Sequence, residues 1–417
     1  MCIVIIRVFF VIVSIFLSSE VFSQSDYNEL YEVNSIEIQG NGSTKTEALV
    51  EILPRELPTK MTNAEIDEYA RRVKNLGIFD LVNVKKVDNK LMVEVRRKTT
   101  LSPIIALSTG KTLRDTSGVF GLNEYDFLGN GTNLGAKASY NDRNLNFSAW
   151  IKEHNYQSNR WTRELEVSKL SSSFRFNDTG SNAWTRNRLG AAFEIVSPFS
   201  YDSPLLYEIQ LKVYSEDFTN VTVNKRLNSA TYIGSLFEVI YDRFKWDDLN
   251  PNGFKGAIEV RPGVMSNGEF RGEALAKFIA ATPLAEKTSL VMNGDIAIVN
   301  SGNVNHSLLI GSQSGVRGLD DSFYRNSALS YLNLEVRHSV EMMNRIFVQP
   351  VLFMDTARFL PMDTEGNNQK WINALSTGVG VRVIPTGFTN LLFRADIARL
   401  HVPYEDWLFQ VGFSQYF

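Results

Sequence analysis

The chain has 417 residues, a formal net charge of −3, and a composition that is 44% hydrophobic and 12% aromatic. The slightly acidic balance gives no reason to expect a nucleic-acid partner. The length exceeds that of a usual single domain, so we expect more than one.

Residues 1–23 have the pattern of a secretory signal peptide. Arg7 is their cationic residue, an apolar run follows it, and Val21-Phe22-Ser23 forms a small-residue cleavage pattern. Cleavage after Ser23 removes Cys2, the only cysteine, so we expect no disulfide and no thiolate site in the mature chain. A retained transmembrane anchor is the alternative, but the apolar run is short for a span. Because no other segment approaches about 18 consecutive apolar residues, we expect a secreted chain that enters a membrane to do so as a closed barrel.

Residues 32–98 are predicted to form a small α/β domain with the element order β-α-α-β-β. Two capping boxes, Thr44-Lys45-Thr46-Glu47 and Thr62-Asn63-Ala64-Glu65, predict two helix starts. The second helix carries one apolar stripe and is predicted to end at Gly77. Strands are predicted around 35–38, 81–86 and 91–95. A domain of roughly 65 residues is near the lower limit for an independent core, so we expect it to lean on its neighbour.

From residue 101 onward the hydrophobic pattern has a period of two, with turn clusters at short intervals. Candidate strands lie near 103–109, 117–126, 132–140, 144–152, 161–169, 185–196, 205–214, 230–243, 254–264, 270–280, 287–298, 328–338, 346–355, 372–383, 390–398 and 407–417. These are about sixteen strands, an even number as in single-chain bacterial barrels, so we predict an antiparallel transmembrane β-barrel over 101–417. The alternative, a soluble sandwich, would normally divide into two domains at this length.

Several of these strands divide into an apolar and a polar face, as expected for an oily exterior and a wet lumen. In one strand, three apolar residues alternate with three polar ones: Leu332, Leu334 and Val336 with Asn333, Glu335 and Arg337. In the last strand the apolar face is aromatic and the polar face contains glycine: Trp407, Phe409, Val411, Phe413 and Phe417 oppose Gln410, Gly412, Ser414 and Tyr416. For this last segment alone, an edge strand of a soluble sheet is the alternative.

The order of a signal peptide, one β-α-α-β-β unit and about sixteen strands resembles the BamA/TamA superfamily of outer-membrane insertion and translocation barrels, the bacterial surface antigen family. Ile36-Glu37-Ile38-Gln39-Gly40-Asn41 resembles the opening strand of its periplasmic POTRA domain, and Leu76-Gly77-Ile78-Phe79-Asp80-Leu81-Val82 resembles the helix exit. Phe127-Leu128-Gly129-Asn130-Gly131 matches the turn after the second barrel strand. Asp242-Arg243 with Pro251-Asn252-Gly253 matches the hairpin after the eighth.

Two further motifs resemble the parts of the superfamily that hold a loop in the lumen. Val316-Arg317-Gly318-Leu319 resembles the lumen-inserted loop motif, which normally ends in an aromatic residue rather than Leu319. Phe353-Met354-Asp355 resembles the inward-pointing motif on the thirteenth strand that receives the loop arginine. The residues themselves favour this pairing, because the face of the strand opposite Asp355 is apolar, which predicts that the carboxylate points into the barrel: Ile346, Val348, Leu352 and Met354. Arginine binds carboxylates with two-pronged geometry. A solvated loop charge is the alternative for Arg317, and we predict that Arg317 and Asp355 pin a long extracellular loop inside the barrel.

The carboxy terminus resembles the assembly signal of the superfamily, a polar residue, a glycine and aromatic residues: Gln410, Gly412, Phe413 and Phe417. Gly412 either relieves crowding at a tilted strand or weakens pairing between the last and first strands. Pro103, near the start of the first strand, would also weaken that pairing. A weak seam predicts sideways opening of the barrel, which is also what the resemblance implies.

Signatures of enzyme chemistry are nearly absent. Gly110-Lys111-Thr112 lacks the leading glycine of a phosphate loop, and the elbow-like Gly311-Ser312-Gln313-Ser314-Gly315 has a glutamine where the nucleophile belongs. The four histidines show no metal-ligand spacing. We therefore expect no enzyme activity, no metal and no cofactor.

Two functional classes follow from the sequence. The resemblance implies an outer-membrane barrel, surrounded by outer-membrane lipid, that inserts or translocates polypeptide clients captured by a POTRA domain in the periplasm. Strand edges of that domain would bind an extended client by β-augmentation. The alternative is a porin-like channel or structural outer-membrane barrel that docks a periplasmic partner, and a homodimer is left open.

Overall fold

The computed structural model of the protein describes residues 30–108, 117–141, 144–154, 161–175, 182–199, 203–219, 228–246, 249–300, 304–312, 315–319, 324–363, 365–389 and 391–412. The predicted signal peptide lies outside these residues, as do Phe413 and Phe417 of the predicted assembly signal.

The N-terminal domain is a small α/β unit. Its elements are β1 (Leu30–Val33), β2 (Ser35–Gln39), α1 (Thr46–Val50), β3 (Thr59–Thr62), α2 (Asn63–Asn75), β4 (Phe79–Val87) and β5 (Lys90–Arg97). The main sheet has the order β2-β5-β4, with β2 parallel to β5. The β-α-α-β-β order predicted from sequence is incomplete, because β1 and β3 pair as a second, antiparallel sheet. Each has only four residues, too few for a period of two to show.

The two predicted helix starts have different outcomes. The box at Thr62 is confirmed: the Thr62 hydroxyl accepts from the Glu65 N–H, and the Glu65 carboxylate accepts from the Thr62 N–H. The box at Thr44 is wrong, because α1 begins after Lys45 without a side-chain cap. The Thr44 hydroxyl instead donates to the carboxylate of Asp126 in the barrel, 2.6 Å away. A charged acceptor distant in sequence has replaced the local cap.

The second domain is a closed antiparallel barrel. Its strands are β6 (Leu101–Ser108), β7 (Ser117–Phe127), β8 (Thr132–Asn141), β9 (Asn144–His154), β10 (Thr162–Arg175), β11 (Asn182–Pro198), β12 (Leu205–Thr219), β13 (Ala230–Asp242), β14 (Gly253–Met265), β15 (Phe270–Ala285), β16 (Thr288–Val299), β17 (Leu308–Ile310), β18 (Tyr324–His338), β19 (Val340–Met343), β20 (Ile346–Pro361), β21 (Ile372–Pro385), β22 (Phe393–Val402) and β23 (Asp406–Gly412). Since β16 pairs directly with β18 and β18 with β20, the described wall has 16 strands, with β17 and β19 as short additions. The predicted fold class is confirmed.

The barrel wall alternates in polarity as predicted. In β18, Asn333, Glu335 and Arg337 are buried on the lumen side. In β20, Leu352 is 62% exposed on the outer side while Asp355 is fully buried on the inner side. The outer surface of the other strands is also apolar and exposed, for example at Phe120, Leu165, Leu189, Leu211, Ile233, Ile258, Val379 and Phe409. An apolar exterior of this kind is typical of barrels that cross a membrane. Among the described residues, no helix has the length and hydrophobicity needed to cross a bilayer.

The N-terminal domain sits on the end of the barrel where short turns join the strands, called here the turn end. Backbone hydrogen bonds join the domain to two turns of the barrel. At the β7–β8 turn the Lys45 N–H donates to the Gly129 carbonyl at 2.8 Å. At the β21–β22 turn the Thr99 N–H donates to the Gly387 carbonyl at 2.8 Å. The side chain of Asn75 donates to the Phe244 carbonyl after β13 at 3.3 Å. The domain therefore contacts turns that are spread around the barrel.

Ion pairs strengthen this contact. Arg345, in the β19–β20 turn, lies 2.6 Å from the Asp80 carboxylate, which Arg96 also binds at 2.8 Å. Arg97 lies 3.0 Å from Asp126. The small domain thus leans on the barrel through charged groups, in addition to its own apolar core.

Replacing Asp80 by asparagine is expected to weaken the docking of the N-terminal domain by about 1 kcal/mol, because an amide cannot pair with Arg96 and Arg345 together. The measurement is the rate at which a protease cuts the segment 98–100 that joins the two domains. Asp67→Asn, an exposed carboxylate on α2, is the matched control. Equal cleavage rates for the native chain and Asp80→Asn would contradict this role.

The same contact is expected to depend on pH. Burial acts to raise the pKa of the Asp80 carboxyl, but the hydrogen bonds and charges of Arg96 and Arg345 lower it more, so this pKa lies below the usual 3.8. A lowered folded-state pKa stabilises the charged form, so the stabilisation is complete above pH 3.8 and is lost as the pH falls through the folded-state pKa. Protease cleavage of the native chain should therefore approach that of Asp80→Asn only in strong acid.

Candidate functional site

The connection between β16 and β18 folds back into the lumen. Its described residues, 304–312 and 315–319, include a 3₁₀ turn at Val304–His306 and the predicted motif around Arg317. The motif forms a tight turn, in which the Val316 N–H donates to the Gly311 carbonyl at 3.0 Å and the Leu319 N–H donates to the Val316 carbonyl at 3.1 Å. Gly318 has φ of +93°, and a Cβ there would lie 3.2 Å from the Leu400 side chain. The turn therefore needs glycine at this position.

Arg317 is bound to Asp355 at two points. The Arg317 Nε–H donates to Asp355 Oδ2 and Nη2–H donates to Oδ1, both at 2.7 Å, while the Arg317 backbone N–H donates to Oδ2 at 3.1 Å. Both side chains are fully buried. This is the two-pronged geometry that lysine cannot reproduce.

Two further residues contact the guanidinium. Arg317 Nη1–H donates to Glu335 on β18 at 2.6 Å, and the Phe353 ring centroid lies 3.5 Å from the Arg317 Cζ. The Phe353 ring is held in place at Gly378 of the next strand, where a Cβ would come within 2.3 Å of it. We call Arg317, Glu335, Phe353 and Asp355 the loop tether.

The sequence predicted three of the four tether residues and missed Glu335. Its signal was present, since Glu335 lies on the polar face that alternation assigns to the lumen. The alternation of polar and apolar residues gave no reason to select Glu335 rather than another inward residue of β18.

The tip of the loop also packs against apolar residues of the wall. Val316 and Leu319 are buried in a cluster with residues of the loop itself and of β18, β20 and β22: Leu308, Ile310, Tyr324, Leu329, Phe359 and Leu400. Leu319 is 1% exposed in this cluster. It stands where the loop motif of the BamA/TamA superfamily normally has an aromatic residue. The loop is therefore held by both charge and apolar burial.

The other arm of the loop reaches the opposite wall of the barrel. The Trp184 Nε1–H of β11 donates to the Asn305 side-chain oxygen at 2.8 Å, and the Arg186 guanidinium donates to the Asn305 carbonyl. Trp184 is fully buried and Asn305 is 3% exposed. We call Trp184, Arg186 and Asn305 the cross-lumen contact. Sequence reasoning missed it, because nothing local to Trp184 distinguishes it from other aromatic residues of the strands.

The carboxy-terminal strand closes the barrel. Gln410 and Gly412 lie on the lumen side of β23, and the described part of the seam pairs Gln410 with Ser108, Val411 with Leu107 and Gly412 with Ala106. Residues beyond Gly412 lie outside the described part of the chain, so the strength of the whole seam stays a prediction. Within the described ranges, no three side chains of the metal-ligating types converge on one point.

A closed 16-stranded barrel, with a loop bound across its lumen and a small α/β domain at its turn end, defines a class of barrel known from solved structures. BamA from Haemophilus ducreyi lacking POTRA domains 1-3 has a TM-score of 0.55 and 15% identity over 91% of this chain and 84% of that one. CdiB from Acinetobacter baumannii has a TM-score of 0.61 and 14% identity over 92% and 74%. CdiB from Escherichia coli has a TM-score of 0.54 and 10% identity over 94% and 92%.

These likenesses establish the fold. The chain folds as the BamA and CdiB barrels do, and the fold expected from its resemblance to the BamA/TamA superfamily is confirmed. No protein-family model and no curated protein sequence matches the chain.

Proposed function

We propose that the protein is an outer-membrane barrel that inserts or translocates polypeptide clients. The observation that carries the proposal is the loop tether, because it holds a segment of chain inside a barrel with the BamA and CdiB fold. The superfamily that the sequence resembles handles polypeptides. The apolar exterior of the barrel supports placement among membrane lipids, and the predicted signal peptide supports export.

The N-terminal domain is proposed to be a POTRA domain on the periplasmic side. Its main sheet has the order β2-β5-β4, so β2 and β4 are the edge strands. Edge strands present backbone N–H and C=O groups that can pair with an extended client. Because this domain rests on the turn end of the barrel, a client bound at either edge would lie next to the barrel.

The lumen is proposed to be closed at rest by the loop. The loop tether binds it to β18 and β20, and the cross-lumen contact binds it to β11. A porin-like channel, the second candidate, conducts through a water-filled lumen and needs no chain fixed at both walls. Burial of the loop at both ends therefore favours the polypeptide handler.

The seam between β23 and β6 is proposed as the lateral exit. The described part of the seam pairs three residues of each strand, and Pro103 removes one backbone donor from β6. Strand pairing weakened in this way would let the first and last strands part and accept a client strand.

Single-channel conductance in planar bilayers tests the proposal on the refolded full chain. We expect the native barrel to flicker, Arg317→Ala to open it, and a disulfide between Leu107→Cys and Val411→Cys to quiet it. Those two positions face each other across the seam, within the reach of a disulfide. The reduced form of the double-cysteine chain is the matched control. A large, steady conductance that none of these changes alters would identify a plain channel and end the translocation proposal.

A further inference from the structure

Buried charges continue from the loop tether towards the last strand. Glu335, which binds Arg317, also lies 3.4 Å from Arg382 on β21. Arg382 in turn forms an ion pair with Asp396 on β22. Arg382 is fully buried and Asp396 is 1% exposed, so these charges are shielded from bulk water.

The next charge along this line is Arg394, which lies against the closing strand. Its Nε is 3.6 Å from Asp396 Oδ2. Arg394 stands directly opposite Gly412 in the β22–β23 ladder. A Cβ at position 412 would lie 3.3 Å from the Arg394 Nη2, tighter than ordinary contact. Gly412 therefore leaves the space in which the Arg394 guanidinium rests, next to the pair that Gly412 forms with Ala106 of the first strand.

The charges in this line depend on one another. Arg317 itself lies 4.0 Å from Asp396, so Glu335 and Asp396 share Arg317 and Arg382 between them. Glu335 is also paired with the buried Arg337 at 2.6 Å, whereas Asp396 is 3.6 Å from Arg394. Removing one cation from a buried network leaves a carboxylate uncompensated, and the remaining cations rearrange towards it. Loss of Arg317 leaves Glu335 with Arg337 and Arg382 and takes one cation away from Asp396. Arg382 should then move towards Glu335, and Asp396 should draw Arg394 away from Gly412.

We propose that Arg382, Asp396 and Arg394 form an ionic relay that couples the loop tether to the seam, with Arg394 as the residue that positions the last strand. While the loop is bound, Asp396 shares its charge with two arginines on the tether side, and Arg394 stays against Gly412. When the loop leaves, Arg394 shifts and the pairing of β23 with β6 loosens. This inference rests on the proposed function and gives that function a link between the loop and its exit.

The test measures how fast a disulfide forms between Leu107→Cys and Val411→Cys, which face each other across the seam. The full chain is kept in its membrane under a mild oxidant, and the rate reports how closely the two strands are paired. We expect Arg394→Gln and Arg317→Gln each to slow this rate about five- to tenfold, an ordinary coupling between sites. The double variant should be no slower than either single one, because both changes act through the same relay. Arg394→Lys, which keeps the charge near Asp396, should restore most of the native rate.

Two controls accompany the test. Arg399→Gln removes an exposed arginine from the same strand and should leave the rate unchanged. A second pair, Ile397→Cys with Phe409→Cys, bridges β22 and β23 away from the seam and should cross-link equally in every variant that has folded. If Arg394→Gln does not cross-link normally in this second measurement, Gly412→Ala is used in its place. The added Cβ pushes the Arg394 guanidinium aside without removing its charge. Gly412→Ala must then lower the rate of disulfide formation at the seam.

The relay is overturned if Arg394→Gln, or Gly412→Ala in its place, leaves the seam rate unchanged in a folded barrel. It is also overturned if the effects of Arg317→Gln and Arg394→Gln multiply, because independent effects exclude a shared path. Neither result decides the proposed function, because that function does not require an ionic link between the loop and the seam. The conductance experiment decides that separately.

Discussion

Replacing Arg317 by alanine should destabilise the barrel by about 3–5 kcal/mol, because it leaves the carboxylate of Asp355 buried without its arginine and removes one of the arginines around Glu335. Both carboxylates are fully buried, and Arg317 donates three side-chain hydrogen bonds to them. The loss should release the tip of the loop while leaving its other arm on β11. Asp355→Ala should have an effect of similar size, because it removes the two-pronged partner of the buried guanidinium and two of its side-chain hydrogen bonds.

The measurement is the temperature at which the folded barrel loses its compact form in detergent, combined with protease cleavage of the loop between β16 and β18. Arg399→Ala, at an exposed arginine, is the matched control and should behave as the native chain does. Because Arg317 and Asp355 act as one unit, their double variant should cost far less than the sum of the two single changes. Unchanged heat stability and loop protection in both single variants would refute the loop tether.

Replacing Trp184 by alanine should be comparably severe, costing about 3–5 kcal/mol, since it empties the volume of a fully buried indole. It also removes the hydrogen bond to Asn305 on the arm of the loop that reaches β11. We expect this arm, Val304–His306, to leave the wall while Arg317 stays bound. The barrel should then conduct steadily at a low level, because the lumen is open on one side of the loop.

Protease cleavage distinguishes the two arms of the loop. Trp184→Ala should expose the segment around 304–306 and not the segment around 315–319, whereas Arg317→Ala should do the reverse. Trp371→Ala, at a tryptophan that is 42% exposed, is the matched control for loss of an indole. If Trp184→Ala left the conductance and the cleavage pattern native, the cross-lumen contact would have no part in closing the barrel.

The strand content of the barrel could be predicted because its signal is local. In β18 the alternation of Leu334 with Glu335 and Asn333 is visible in the sequence and reappears as outward and inward faces. The predicted strand 346–355 is longer in the structure, where β20 continues to Pro361. The extra inward residues, such as Phe359, are apolar because they pack against the loop. This part of β20 therefore lacks the alternation of apolar and polar residues by which the strand was predicted.

Local signals failed where a distant group competed with a near one. Thr44 matched a capping box, yet its hydroxyl binds Asp126, which lies 82 residues further along the chain. Glycines were open to more than one interpretation for the same reason. Gly378 is required by the Phe353 ring, and Gly412 lies against the Arg394 guanidinium, and no sequence pattern brings those pairs together.

The sequence by itself determined the approximate number of wall strands, the inward and outward faces of several of them, and the choice of Arg317 and Asp355 as the central pair. Period-two alternation and a short motif are properties of neighbouring residues, so they can be seen without a fold. Only the tertiary structure decided that Glu335 joins this pair, that Trp184 holds Asn305 from 121 residues away, and that charges lead from the loop to Gly412. These contacts form because the closed barrel surrounds the loop, so that residues of opposite walls reach it from both sides. Which residues meet depends on the register of every strand between those walls.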